Sequence, residues 1–276
     1  MRFDAYAGNV ASERPQEVAY AAARAVRGGI ERGRPRRRYA DVWDVKHGAE
    51  LVGWVGHDQD LDTAYFEFKG ETTPDTSGAI RTHWPDHTVS RLDSCEDYDA
   101  PGAFRQLVSL FDRVKDPRVQ SQAITPRDGD RGETIYWGST QSRVMVRCYE
   151  AGKMKDRVHF NRPQWARAEA QIRPGKSVEK MLAARITPLA AWGFAAWTQR
   201  AAQELSQCDV ARFAPDTTPP TFDRTTLYVA RAFRRHFEQM RLDLGDWVCI
   251  GREIEAVWAE DDASKLARGG GGVPPR

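Results

Sequence analysis

"TIYWGSTQSRVMVRCYE", residues 134–150, reads as two strands folded back on each other. "TIYWGS" and "RVMVRCYE" carry β-branched and aromatic residues, and only the few residues around "STQ" separate them. Strands joined by so short a turn run antiparallel, because a parallel pair needs a long crossover connection. In the second strand, side-chain alternation puts Arg143, Met145, Arg147 and Tyr149 on one face and Val144, Val146 and Cys148 on the other.

The same reading extends outward. Strands are expected over "RFDAYAGNV" (2–10), "RRYADVWDVKHG" (37–48), "ELVGWVGHD" (50–58), "DTAYFEFKG" (62–70), "TVSRLDSCEDYD" (88–99), "RVQSQAIT" (118–125) and "QWARAEAQIR" (164–173). Helices are expected over the Ala-rich stretch 14–29, which a glycine pair stops, over 76–84, and over 101–114, where Phe104, Leu107, Val108 and Phe111 recur at helical spacing. "PRDGDRGE" (126–133) reads as a turn. From Lys176 the pattern becomes helical, with Val229, Phe233, Phe237 and Met240 on one stripe of a C-terminal helix within 223–240. Neighbouring strands joined by short turns make the class α+β, a mostly antiparallel sheet with flanking helices. The expected organisation is an α+β domain over 1–175, a helical region over 176–266 and a Gly/Pro-rich disordered tail over 267–276.

The chain has 276 residues, 41% hydrophobic and 29% charged, with a formal net charge of +2. The balance says little about partners, but the arginines cluster. "ERGRPRRRY" (31–39) holds Arg32, Arg34, Arg36, Arg37 and Arg38, which reads either as a solvated loop or as a loop that contacts phosphates. Cys95, Cys148, Cys208 and Cys249 show no CxxC spacing, and no signal peptide is evident, so reduced thiols in a cytoplasmic protein are expected. The apolar run "PLAAWGFAAWTQ" (188–199) is too short to span a bilayer. His83 and His87 flank Pro85 and read as surface or loop histidines.

Three strands carry comparable polar faces. "RLDSCED" places Arg91, Asp93, Cys95 and Asp97 on one side, and "WARAEAQI" places Trp165, Arg167, Glu169 and Gln171 on one side. One reading is a sheet with a solvated face whose Arg–acid pairs need no function. The other is a site with carboxylates for Mg²⁺ or Mn²⁺, arginines (Arg143, Arg147, Arg167) for phosphate, and Tyr149 as nucleophile.

These segments resemble the replication initiation factor family of rolling-circle initiators of plasmids and filamentous phages and of related conjugative relaxases. Tyr136, Gly138, Ser142, Arg147 and Tyr149 fit the family's two-strand motif, "RLDSCEDYD" resembles its upstream motif and "WARAEAQIR" its downstream one, in the family's order. The resemblance spans residues 1–175 and implies that Tyr149 is the nicking tyrosine, with Tyr136 a packing residue. It implies that Asp93 and Glu169 hold the metal, followed by Asp97 and then Glu67. Ala151 stands where the family has Lys, with Lys153 as a displaced substitute, and Gln171 stands where a second acid is common.

The function implied is a rolling-circle initiator that nicks one strand of an origin through a covalent 5′-phosphotyrosine. Duplex origin DNA with an exposed single strand is the implied partner, and host helicase and polymerase supply unwinding and synthesis. A homodimer through the C-terminal helix is the alternative to a purely core-facing stripe. The competing function is a catalytically inactive DNA-binding protein of the same fold, which needs only the arginine loop and the basic C-terminal helix. Gly-rich phosphate loops and nucleophile elbows, which would indicate small-molecule chemistry, are absent from the sequence.

Overall fold

The computed structural model describes residues 1–12, 14–58, 60–126, 132–154, 160–206 and 241. The expected C-terminal helix (223–240), the tail, Cys208, Cys249 and most of the 126–133 turn lie outside the described residues. In chain order the elements are β1 (Arg2–Ala11), α1 (Pro15–Ala25), β2 (Gly29–Arg32), β3 (Val42–His47), β4 (Glu50–Asp58), β5 (Thr63–Lys69), α2 (Thr73–His83), β6 (Thr88–Asp99) and α3 (Ala103–Val114). There follow β7 (Ser121–Ile124), β8 (Thr134–Trp137), β9 (Val144–Tyr149), β10 (Trp165–Ile172), α4 (Ser177–Ala183), α5 (Pro188–Ala191) and α6 (Ala196–Ser206).

The ten strands form one sheet in the order β2-β3-β4-β5-β1-β6-β10-β9-β8-β7, and every neighbouring pair is antiparallel. The α+β class read from the 134–150 hairpin is therefore the observed one. β2 escaped that reading. Its four residues are almost wholly exposed, so no apolar alternation marks them, and they join the sheet edge through backbone pairing with β3 and a 2.5 Å Lys46–Glu31 ion pair. α2 begins ahead of the expected helix, because Pro74 fits the first turn, where its missing N–H costs nothing.

The helices cover one face. Phe3, Tyr6, Phe66, Phe68 and Leu92 of the sheet pack with Val18 and Ala22 of α1, Ile80 of α2 and Phe104, Leu107 and Phe111 of α3 in one core. β10 contributes Ala166, Ala168 and Ala170, all fully buried; their small size leaves room for α3 to lie directly on the strand. Phe111 then reaches Trp137 at 5.1 Å and Trp192 at 6.0 Å between ring centroids. α4 and α5 pack on β6, and α6 packs on α3. The described helices after 175 thus pack on the sheet and its helical layer.

Candidate active site

The sheet order places the three motif strands side by side, and their register aligns the polar residues in rows. Cys95, Glu169, Arg147 and Tyr136 face one another across β6, β10, β9 and β8. The next row is Asp97, Arg167, Tyr149 and Thr134, and the row on the other side holds Asp93, Gln171 and Met145. These residues lie on the face away from the helices, since their alternates Val146, Cys148, Ala166, Ala168 and Ala170 belong to the helical core.

A solvated face is the expectation the structure overturns. Asp93, Arg167 and Glu169 are each 1% exposed. Charges so deeply buried require partners, and a network of ion pairs supplies them. Arg167 donates from Nε and Nη2 to the two Asp97 oxygens at 2.6 and 2.9 Å, and from Nη1 to Asp4 Oδ1 at 2.9 Å. Arg2 and the Trp165 indole also donate to Asp97, at 3.1 and 2.7 Å. Arg91 forks onto Asp93, where Gln171 Nε2 donates at 3.3 Å as well. Arg147 Nη2 donates to Glu169 Oε1 at 2.6 Å.

Asp4 was not legible as a site residue. Regular alternation in "RFDAYAGNV" gives no sign that it meets Arg167; a register irregularity between Phe3 and Ala5 breaks the alternation and brings it there.

The Arg147–Glu169 pair is incomplete. Glu169 Oε2 and Arg147 Nε are both buried and without a hydrogen-bond partner, although they belong to the two side chains of a single ion pair. Burial raises the Glu169 carboxyl to about 7; Arg147 opposes this, and the nearby charges of Asp93 and Asp4 reinforce it. For Arg147, burial disfavours the charge, but Glu169 more than offsets it and the net direction is upward. Burial likewise works against ionised Asp97, yet Arg167 and Trp165 hold its carboxyl below the ordinary range.

Tyr149 sits within this network. The Arg147 guanidinium lies 5.5 Å from its ring centroid, and Arg167 is opposite it in register. Ala151, Trp165 and Met154 pack around it, leaving it 7% exposed. Tyr136, expected to be the packing tyrosine, is the more exposed of the two and stands opposite Arg147. Gly138 follows at φ 88°, a left-handed conformation that favours glycine at the start of the β8–β9 turn.

The four expected metal ligands do not converge. No group of three or more His, Cys, Asp or Glu among the described residues is arranged to hold a metal ion. Asp97 is taken up by Arg167. Glu67 lies on β5, beyond β1, paired to Arg37 at 2.9 Å and Lys69 at 2.5 Å. Asp93 and Glu169 remain as diagonal neighbours. Arg91 and Gln171 already engage both Asp93 oxygens, so Glu169 Oε2 is the unpartnered donor of the two, and a Mg²⁺- or Mn²⁺-type ion there would require Asp93 to exchange Arg91 for the metal, with water or phosphate as the other ligands.

Of the expected DNA contacts, Arg167 is a correction, since it is buried and held by Asp97 and Asp4. Arg143 is another. It precedes β9, pairs with Glu179 of α4 at 3.0 Å and stacks over Phe194, so it is held away from Arg147 and Tyr149. Lys153 pairs with Glu150 at 2.8 Å on the 3-10 turn after β9. The arginine loop is folded onto its own acids: Arg32 with Asp41, Arg36 with Asp44, Arg37 with Glu67 and Arg38 with Asp58, while Arg34 is exposed. Arg36 and Arg37 also lie over the Trp54 ring. His87 is a further correction. It is 3% exposed, with Nε2 2.7 Å from Tyr6 Oη and Nδ1 2.7 Å from the Trp84 carbonyl, and burial lowers its pKa. Cys95 and Cys148 are free and buried thiols.

No family model matches the chain, and no curated protein matches it, so the family resemblance rests on its motifs alone. Among solved structures the chain is similar to a rolling circle replication initiator protein from Geobacillus stearothermophilus, with 13% identity, a TM-score of 0.47, and coverage of 80% of this chain and 89% of that one. At that score the likeness carries no functional argument. No helix among the described residues is long and apolar enough to cross a membrane.

Proposed function

We propose that the protein is a DNA-nicking strand transferase of the rolling-circle initiator type, with Tyr149 as nucleophile and a divalent metal at Asp93 and Glu169. The observation that carries this reading is the incomplete Arg147–Glu169 pair: a buried carboxylate oxygen and a buried guanidinium N–H, both unpartnered, beside a tyrosine at the end of β9. A phosphodiester supplies what each lacks. Its oxygen accepts from Arg147 Nε, and a Mg²⁺ or Mn²⁺ ion on Glu169 Oε2 would withdraw charge from phosphorus when bound.

Within this reading the Tyr149 oxygen forms a bond to phosphorus and the bond from phosphorus to the 3′ oxygen breaks. The tyrosine proton passes through solvent to the departing 3′ oxygen. The products are a 5′-phosphotyrosine and a free 3′ hydroxyl, and reversal of the same exchange rejoins the strand. Arg147, fixed by Glu169 and lying over the tyrosine ring, holds the phosphate beside the nucleophile. Because Tyr149 is 7% exposed, the phosphate must enter from the side of Arg147 and displace part of the Met154 and Trp165 packing.

The second reading is an inactive DNA-binding protein of the same fold. It is favoured by the burial of Tyr149 and by Gln171, which satisfies Asp93 with an amide where a second acid would serve a metal. Supercoiled origin DNA incubated with Mg²⁺ or Mn²⁺ separates the two. An open circle and a denaturant-resistant adduct at Tyr149, lost in Tyr149→Phe with duplex binding retained, support nicking. Tight, metal-independent binding with no adduct assigns the protein to the second class.

A further inference from the structure

A cleft of about 630 Å³ lies where β7, β8 and the β8–β9 turn meet. Its lining includes Arg118, Gln122, Tyr136, Ser142 and Met145. Tyr136 is a half-buried ring, and the register pairs it with Gln122 of β7 on one side and Arg147 of β9 on the other. Met145 lies two residues before Arg147 on the same face of β9. Through Tyr136 the cleft adjoins the row that continues to Arg147 and Glu169, with the unpartnered Arg147 Nε on the next strand.

The lining chemistry is specific. A partly exposed tyrosine offers a ring face, Met145 an apolar and polarisable floor, and Gln122 an amide that both donates and accepts. Arg118, exposed at the mouth, supplies a cation. The Ser139 and Ser142 hydroxyls bond each other at 3.1 Å, and Ser142 Oγ also accepts from the Ser139 amide at 3.0 Å, which fixes the turn forming the wall. A flat heteroaromatic ring with hydrogen-bonding edges, attached to an anionic backbone, matches this combination, and the volume accommodates one nucleotide.

We propose that this cleft receives one unpaired base of single-stranded DNA, stacked on Tyr136 and read at its edge by Gln122, so that the adjoining phosphate is delivered to Arg147. The proposal rests on the nicking reading for the role of that phosphate, but base binding is measurable without any chemistry. Tyr136, opposite Arg147, then positions the strand while Tyr149 reacts with it.

The test uses a fluorescein-labelled dT12 oligonucleotide, titrated by anisotropy in EDTA against the wild type, Tyr136→Ala, Tyr136→Phe and Gln122→Ala. Because Tyr136 is partly exposed and Gln122 exposed, the substitutions leave the core intact, and a circular dichroism melt confirms folding. Loss of one stacking platform weakens binding about ten-fold in Tyr136→Ala, with Tyr136→Phe close to wild type. A dT12 containing 4-thiothymidine, cross-linked by ultraviolet light and mapped by peptide mass, attaches within residues 118–145. Equal affinities of Tyr136→Ala and the wild type, or cross-links confined to other peptides, overturn the proposal. The two ideas fail separately: absence of a Tyr149 adduct on origin DNA removes nicking and leaves the cross-link standing, while nicking without the cross-link removes the base cleft alone.

Discussion

Glu169→Gln should make the folded protein more stable at pH 8 while removing its proposed activity. The folded state holds this carboxyl protonated to about 7, against an ordinary value of 4.5, because it is buried and faces Asp93 and Asp4. The sign follows from linkage. Below pH 4.5 both folded and unfolded chains are protonated and there is no penalty. Between 4.5 and 7 the unfolded chain ionises first, so stability falls as pH rises; above 7 the penalty is complete. Converted at the usual rate per pH unit, the penalty grows by roughly 2–3 kcal/mol between pH 5 and pH 8. Glutamine does not titrate, still accepts from Arg147, and escapes repulsion by Asp93. Arg147 loses its counter-charge, but its side chain is 34% exposed, so solvent moderates that loss. The difference in unfolding free energy between variant and wild type, from urea titrations at pH 5 and pH 8, is expected to move in the variant's favour by about 2 kcal/mol. For a unit of this size that is roughly 4 to 8 °C in melting temperature. A difference that stays constant with pH, or moves the other way, would refute the reasoning: Glu169 would then be ionised in the folded protein and stabilised by Arg147 outright.

Arg167→Met should be destabilising, by about 3 kcal/mol in chemical denaturation, because it removes the buried cation that holds the part-buried Asp4 and Asp97 and leaves Asp97 only Arg2 and Trp165; a loss below about 1 kcal/mol would mean that water already reaches these acids. Ala151→Lys should not restore the family pattern. Ala151 is fully buried against Tyr149 and Trp165, so lysine there is expected to cost about 2 kcal/mol or more by thermal melt and leave nicking no better than wild type. Double replacement of Arg37 and Arg38 by alanine should lower the slope of log affinity against log salt by less than about 1, where two free phosphate contacts would lower it by nearly 2, since Glu67 and Asp58 already neutralise them.

How much of this was readable from the chain depends on which physical signal each part carries. The 134–150 hairpin and the alternation in "RLDSCED" and "WARAEAQI" are local patterns, and they foretold both the antiparallel class and which side chains share a face. The alanines of β10 were visible as a small, apolar alternate set, and they are the seat of α3. Burial was not readable, because arginine and aspartate look solvated until their partners arrive from distant strands; Asp97 and Arg167 are 70 positions apart. The scattering of the four carboxylates followed for the same reason: Glu67 and Asp93 both look like ligands locally, but β1 lies between their strands. His87 was misread because a proline-flanked histidine resembles a loop residue, whereas Tyr6, 81 positions earlier, draws it into the core.

The place of β1 has a consequence for assembly. The strands made after it divide into a run β2–β5 on one side and β6–β10 on the other, and within each run the hydrogen-bonded neighbours are joined to one another without β1. Only β1 pairs with both, through β5 and β6. β1 is thus covered on its second edge only by β6, which ends at Asp99, nearly ninety positions further along the chain. Without β1 the two runs share no hydrogen-bonded strand. A tag or truncation at the amino end, where the Met1 amino group pairs with Glu96, acts at the seam of the molecule and not at its periphery.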